Sequence, residues 1–80
     1  MNPEELKQYE DAINEYNKVI QHGDNIFIED AEWYRSLCYL KMKNYSKVKE
    51  QLVFIIEKKG YYSNDAKAIL RKLKYSLKRS

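Results

Sequence analysis

Two stretches of the sequence, YEDAINEYNKVI at residues 9–20 and YSKVKEQLVFII at residues 45–56, carry the same apolar pattern 36 residues apart. In both stretches apolar side chains recur at steps of three and four, which is the period of one face of an α-helix. A helical pattern that recurs at a distance of this size is typical of repeated helix pairs. The two stretches therefore predict an all-helical fold.

Capping residues and breaks in the apolar pattern predict the helix boundaries. Asn2 can cap a helix, Pro3 fits its first turn, and Gly23 is expected to end that helix in the left-handed conformation. Short connectors make successive helices antiparallel neighbours. We predict four antiparallel helices in a single domain of residues 1–80, with residues 24–28 as a connector. The predicted helices span about residues 3–21, 29–43, 45–59 and 64–78.

Length and composition exclude several classes of protein. Eighty residues leave no room for a cofactor domain beside a substrate domain. A single cysteine and a single histidine cannot supply a disulfide or a zinc site. The longest apolar run, residues 52–56, is far shorter than the roughly 20 residues that span a bilayer. We expect a soluble, cytoplasmic chain that is not an enzyme, with no catalytic residue, cofactor or metal.

The first stretch resembles the second helix of the tetratricopeptide repeats (TPR). That helix carries a tyrosine, a small residue three positions later, a large aromatic four further on and a small residue three after that. The first stretch has this spacing at Tyr9, Ala12, Tyr16 and Val19. The second stretch has it at Tyr45, Val48, Leu52 and Ile55. The resemblance implies an α-solenoid fragment, the C-terminal repeats of a longer array, that serves protein–protein interaction or scaffolding.

The resemblance also implies where a protein or peptide partner binds. In this family the first helix of each repeat lines a concave surface that holds extended peptides, and the predicted helix at residues 29–43 is similar to such a first helix. The expected contact residues are Asp30, Trp33, Tyr34, Leu37 and Lys41. Packing in the core is the alternative interpretation of Trp33 and Tyr34.

The charge of the chain is divided between its halves. Residues 1–40 hold nine acidic and three basic side chains, whereas residues 41–80 hold three acidic and twelve basic ones. Helical spacing places four cations on one face of the last predicted helix: Lys67, Arg71, Lys74 and Lys78. The alternative function is therefore electrostatic binding of nucleic acid or an anionic surface through this face. A solvated face that closes the repeat array is the competing interpretation.

The same charge division bears on self-association. If the first helix lacks an upstream neighbour, it is expected to leave an apolar face uncovered. The acidic first half and the basic second half of two copies attract each other. Together these features predict a weak homodimer.

Overall fold

The computed structural model describes the backbone of residues 1–23 and 25–79 and the side chains of residues 1–23 and 26–75. Four α-helices form this part of the chain: α1 at Pro3–His22, α2 at Asn25–Lys41, α3 at Tyr45–Lys58 and α4 at Ser63–Arg79. No β-strand occurs within these ranges. The all-α prediction is confirmed.

Helix α2 begins four residues earlier than the sequence pattern predicted. The expected connector at residues 24–28 is wrong, because Asn25 already starts the helix. The side chains of Ile26 and Phe27 are 73% and 56% exposed, so they contribute little to the core. These two residues therefore lie outside the buried apolar stripe from which the start of the helix was predicted.

Among the described residues, the two with a left-handed backbone conformation are lysines. Lys43 and Lys59 have φ angles of 60° and 55°, and Lys59 caps α3. Gly23, predicted to be left-handed, is extended, with φ of −84° and ψ of 167°. An extended residue leads the chain away from α1 and directly towards α2, which starts two residues later.

Gly60 lies close to a side chain of α2 and does not have an unusual backbone angle. A β-carbon at this position would lie 1.7 Å from Oε1 of Glu29, on α2. Any larger residue would therefore have to displace the Glu29 carboxylate. At Gly60 the α3–α4 connector therefore lies against the Glu29 side chain.

Each helix packs only against its neighbours in the sequence, as far as the described residues show: α1 on α2, α2 on α3, and α3 on α4. Arg35 contacts Gln51 and Glu32 contacts Lys58, so α2 and α3 run antiparallel. The Cα atoms extend over 40 × 35 × 14 Å. This thickness is about that of two packed helix backbones, so each helix keeps an open side.

The main core is built around α3. Val48, Leu52 and Ile55 of α3 and Ala66 of α4 form one buried cluster, each no more than 6% exposed. Partly buried side chains pack around it: Trp33, Tyr39, Leu40, Ile56, Tyr62, Ile69, Leu70 and Leu73. Helix α3 thereby connects α2 to α4.

Helix α2 lies between α1 and α3, yet its buried residues are small or polar. Ala31, Glu32 and Ser36 are each less than 5% exposed. The Nζ atom of Lys58 lies 2.7 Å from Oε1 of Glu32, and the Ser36 hydroxyl donates to the carbonyl of Trp33 at 2.6 Å. The polar groups buried between α2 and α3 are therefore paired.

Helix α1 packs against α2 through one side, where Ile13 is buried and Tyr9 and Tyr16 are half-buried. Leu6, at 40%, is the large apolar side chain that this helix exposes. The broad uncovered apolar face that was expected on α1 is therefore not present. The outward side of the helix is polar and charged.

We expect Leu52→Ala to lower the free energy of unfolding by about 2–5 kcal/mol, because it opens a cavity at a 1% exposed position. Val53→Ala, on the outer side of the same helix, should change it by no more than about 0.5 kcal/mol. Urea titrations of both variants measure the difference. Equal losses would show that the buried side of α3 is wrongly placed.

We expect Lys58→Met to lower the free energy of unfolding by about 1–3 kcal/mol, because it leaves the Glu32 carboxylate buried without its cation. Adding Glu32→Gln should restore part of the loss, since the buried group is then neutral. A double-mutant cycle measured by denaturant titration gives the coupling. The control is Lys47→Met on exposed α3 surface, and a loss of the same size there would contradict the buried pair.

Candidate partner-binding face

One side of α2 remains open between its two neighbours. Helical geometry places Asp30, Tyr34, Leu37 and Lys41 within about 60° of one another around α2. Arg35 points to the far side, where its guanidinium donates to Asn17 of α1 at 2.8 Å and to Gln51 of α3. We call the set Asp30, Trp33, Tyr34, Leu37 and Lys41 the α2 face. The structure thus brings the residues predicted for partner binding onto one side of one helix.

Trp33 forms the edge of the α2 face and is held by the α3–α4 connector. Its ring stacks on Tyr62 with a centroid separation of 5.1 Å and an interplanar angle of 9°. Tyr61 contacts Tyr62 edge-on at 4.9 Å. Trp33 also packs against the core cluster. The Trp33 ring therefore packs against the core on one side and lies at the edge of the α2 face on the other.

Asp30 is joined to the same connector by a hydrogen bond. The Tyr62 hydroxyl donates to Oδ1 of Asp30 at 2.5 Å. This bond raises the pKa of Tyr62 well above the usual tyrosine value, and desolvation and the charge of Asp30 add to the shift. The phenol is thus neutral at physiological pH, and it fixes the carboxylate at one end of the α2 face.

Tyr34 is the exposed aromatic residue of the α2 face. Its ring lies 6.2 Å from that of Tyr16 on α1, with an interplanar angle of 24°. The residue remains 46% exposed. Lys41, at the C-terminal end of α2, is exposed, and Leu37 is half-buried between them. The α2 face therefore carries an anionic end, an apolar middle and a cationic end.

Sequence reasoning missed two residues at this face. Ile26 lies one helical turn before Asp30 and extends the face with a 73% exposed apolar side chain. The interval of four between Ile26 and Asp30 was a usable signal, but Ile26 was assigned to a connector. Tyr62 lies 32 residues from Asp30 in the sequence, and no local pattern predicts their contact.

The cations predicted on the last helix line a second surface. Lys67, Arg71 and Lys74 surround a groove of about 270 Å³ whose floor is Ile56 of α3 and Leu70 of α4. We call this surface the basic groove. Among the described side chains, none of its three cations takes part in an ion pair. The fourth predicted cation, Lys78, has its side chain outside the described residues.

The remaining reactive groups are few. Burial raises the pKa of the Cys38 thiol, which leaves it a poor nucleophile at neutral pH. Over residues 1–23 and 26–75, no three metal-ligating side chains come together. The helices in these ranges include none with the length and apolar character needed to cross a membrane.

The structure thus defines an all-α protein of four consecutively packed helices, whose open surfaces include the α2 face and the basic groove. No protein-family model, curated protein sequence or solved structure matches the chain. The functional assignment therefore rests on the residues and contacts of the two surfaces.

In an absorbance titration of the eight tyrosines, we expect one phenol to ionise at higher pH than the others. Tyr62→Phe should remove this late component, and Asp30→Asn should shift it to lower pH. Because the folded chain holds the Tyr62 proton more tightly than the unfolded chain, this contribution to stability is complete below about pH 10 and is lost above it. Asp65→Asn, an exposed acid of α4, is the control, and a late component that survives Tyr62→Phe would contradict the contact.

Proposed function

We propose that this chain is a protein-interaction module whose α2 face binds an extended segment of a partner protein. The observation that carries the proposal is the open side of α2. This helix packs against two neighbours, yet Ile26 and Tyr34 on its third side are 73% and 46% exposed. Partly exposed aromatic and apolar side chains are the residues that dominate binding energy at protein interfaces.

The proposal includes a TPR-like arrangement of helix pairs. In it, α2 and α3 form one repeat, α1 is the second helix of the preceding repeat, and α4 is the first helix of the next. The 36-residue recurrence in α1 and α3 and the consecutive packing of the four helices support this arrangement. Scaffolding by a repeat array is the function that follows from it, by analogy of fold.

The chemistry of the α2 face defines the partner segment. Asp30 and Lys41 are eleven residues apart, which is about 16 Å along a helix. An extended peptide covers that distance with about five residues. A fitting segment has a basic residue opposite Asp30, an apolar residue over Tyr34 and Leu37, and an acidic residue opposite Lys41.

The neighbours of the α2 face prepare it for binding. Tyr16 holds the Tyr34 ring and Tyr62 holds both Trp33 and Asp30, so three of its five side chains are fixed before a partner arrives. Side chains that are already ordered lose less conformational entropy on association. A short peptide is therefore a sufficient ligand.

The second candidate function is electrostatic binding of nucleic acid or an anionic surface by the basic groove. The observation in its favour is that Lys67, Arg71 and Lys74 gather at one groove. Its floor is apolar, however, and phosphate backbones are bound by cations and polar groups. We therefore prefer protein interaction as the function.

The test is selection of binding peptides from a displayed random library against the wild-type chain. Selected peptides should share an apolar residue between a basic and an acidic one. We expect Tyr34→Ala and Lys41→Glu each to raise their dissociation constants about tenfold or more. Phe54→Ala is the control, because Phe54 is a comparably exposed aromatic residue on α3.

Circular dichroism of each variant checks that helicity is retained. Fluorescence polarisation with the labelled peptide then gives the dissociation constants. A library that yields no shared pattern would overturn the proposed function, and so would equal losses from Tyr34→Ala and Phe54→Ala.

A further inference from the structure

The basic groove lies on one side of α4. The equivalent side of α2 packs against α3. Ala31 and Ala66 are buried alike, at 4% and 0% exposure, and lie 35 residues apart. Each is on the side of its helix that meets the preceding helix: Ala31 lies between Tyr34 and Arg35, which contact α1, and Ala66 belongs to the core cluster around α3. Aligning the two alanines therefore shows which residues of α2 and α4 lie at equivalent positions around the two helices.

With this correspondence, three residues on the side of α2 that faces α3 have basic counterparts on α4. Glu32 corresponds to Lys67, and the buried Ser36 to Arg71. Tyr39, which packs on the core cluster, corresponds to Lys74. The basic groove is thus a helix-packing surface whose rim is cationic and whose floor is apolar.

Helix α1 carries a surface that complements this groove. The 36-residue recurrence relates α1 to α3, and α3 meets α2 through a stripe that includes Val48, Gln51 and Ile55. The counterparts of these residues on α1 are Ala12, Glu15 and Val19.

Ala12 and Val19 are half-buried, whereas Glu15 and the nearby Asp11 are exposed. We call Asp11, Ala12, Glu15 and Val19 the α1 acidic face. It presents two small apolar side chains beside two carboxylates. Glu15 has one described ion partner, Lys18, in a pair whose side chains are 69% and 71% exposed. Such an exposed pair contributes little and exchanges readily for a better partner.

We propose that the α1 acidic face of one copy docks on the basic groove of a second copy, so that chains associate head to tail. The contact repeats the packing of α2 on α3, which places the carboxylates of Asp11 and Glu15 towards the cations of Arg71 and Lys74. Charge complementarity of this kind selects the partner surface and accelerates association. The α2 face takes no part, so this inference is independent of the proposed function.

The two surfaces lie on different helices that do not touch each other. A contact between different surfaces leaves one of each free in every assembly, so it does not close at a dimer unless the geometry forms a ring. The mean mass should therefore rise steadily with concentration. Exposed charges are screened by salt, because the Debye length falls to about 3 Å at 1 M.

Sedimentation velocity of the full chain over a hundredfold concentration range tests this inference. At low salt the weight-average mass should rise from the 9.7 kDa of one chain beyond twice that value. At about 1 M salt it should fall back towards that of one chain. A constant monomer mass in all conditions would overturn the inference.

Charge reversal identifies the surfaces. The groove variant, Arg71→Glu with Lys74→Glu, and the α1 variant, Asp11→Lys with Glu15→Lys, should each remain monomeric. Mixed in equal amounts they should associate again, because each acidic surface now meets a basic one. If both variants still associate, or if mixing them does not restore association, the assignment of the two surfaces is wrong.

The matched control for the groove variant is Lys47→Glu with Lys72→Glu, which changes the net charge equally at exposed positions outside the groove. This control should associate like the wild type. If it loses association as the groove variant does, the loss follows from net charge alone and the docking is contradicted. Circular dichroism checks every variant, and Arg71→Glu alone replaces the groove variant if helicity is lost.

A fluorescein-labelled single-stranded DNA probe tests the other occupant of the groove. A monomeric chain that binds this probe, and loses the binding in the groove variant, would make the groove a polyanion site and overturn self-association.

Discussion

The packing of α3 against both α2 and α4 is the contact on which the rest of the structure depends. Val48, Leu52 and Ile55 form one buried row along α3, and Ala66 lets α4 approach that row closely. In a chain of this length no second core of comparable size is available, so loss of this row leaves α2 and α4 without a common support. Helix α1, with Ile13 as its buried residue, is attached through α2.

Local chemistry was sufficient to predict α1 and α3 to within one residue. Asn2 and Asn44 accept hydrogen bonds from backbone N–H groups three residues on, as capping residues do, and the apolar spacing continues from there. The start of α2 could not be predicted in this way, because Ile26 faces solvent and adds nothing to the buried stripe. The left-handed conformation of Lys59 was also not predictable, because glycine adopts positive φ angles readily and lysine does not.

The candidate surfaces were likewise predictable from the sequence only in part. The family resemblance supplied the candidate residues of the α2 face, and helical periodicity placed three cations of the basic groove on one side of the last helix. The contribution of Tyr62 depends on how the α3–α4 connector meets α2, which is a tertiary contact that leaves no periodic trace in the sequence. The apolar floor of the basic groove likewise requires Ile56 and Leu70 from two helices to come together.

The restriction of helix contacts to sequence neighbours also determines how the chain acquires its structure. Every such contact closes a short connector, so the entropy lost at each step is small and the contact order is low. Folding in this regime is rapid and proceeds by adding one helix to the next. Because α1 touches only α2, its detachment breaks a single interface and leaves the α2–α4 core intact. The stability of the chain is therefore graded along the sequence and is lower at the two terminal helices, each of which packs on a single neighbour.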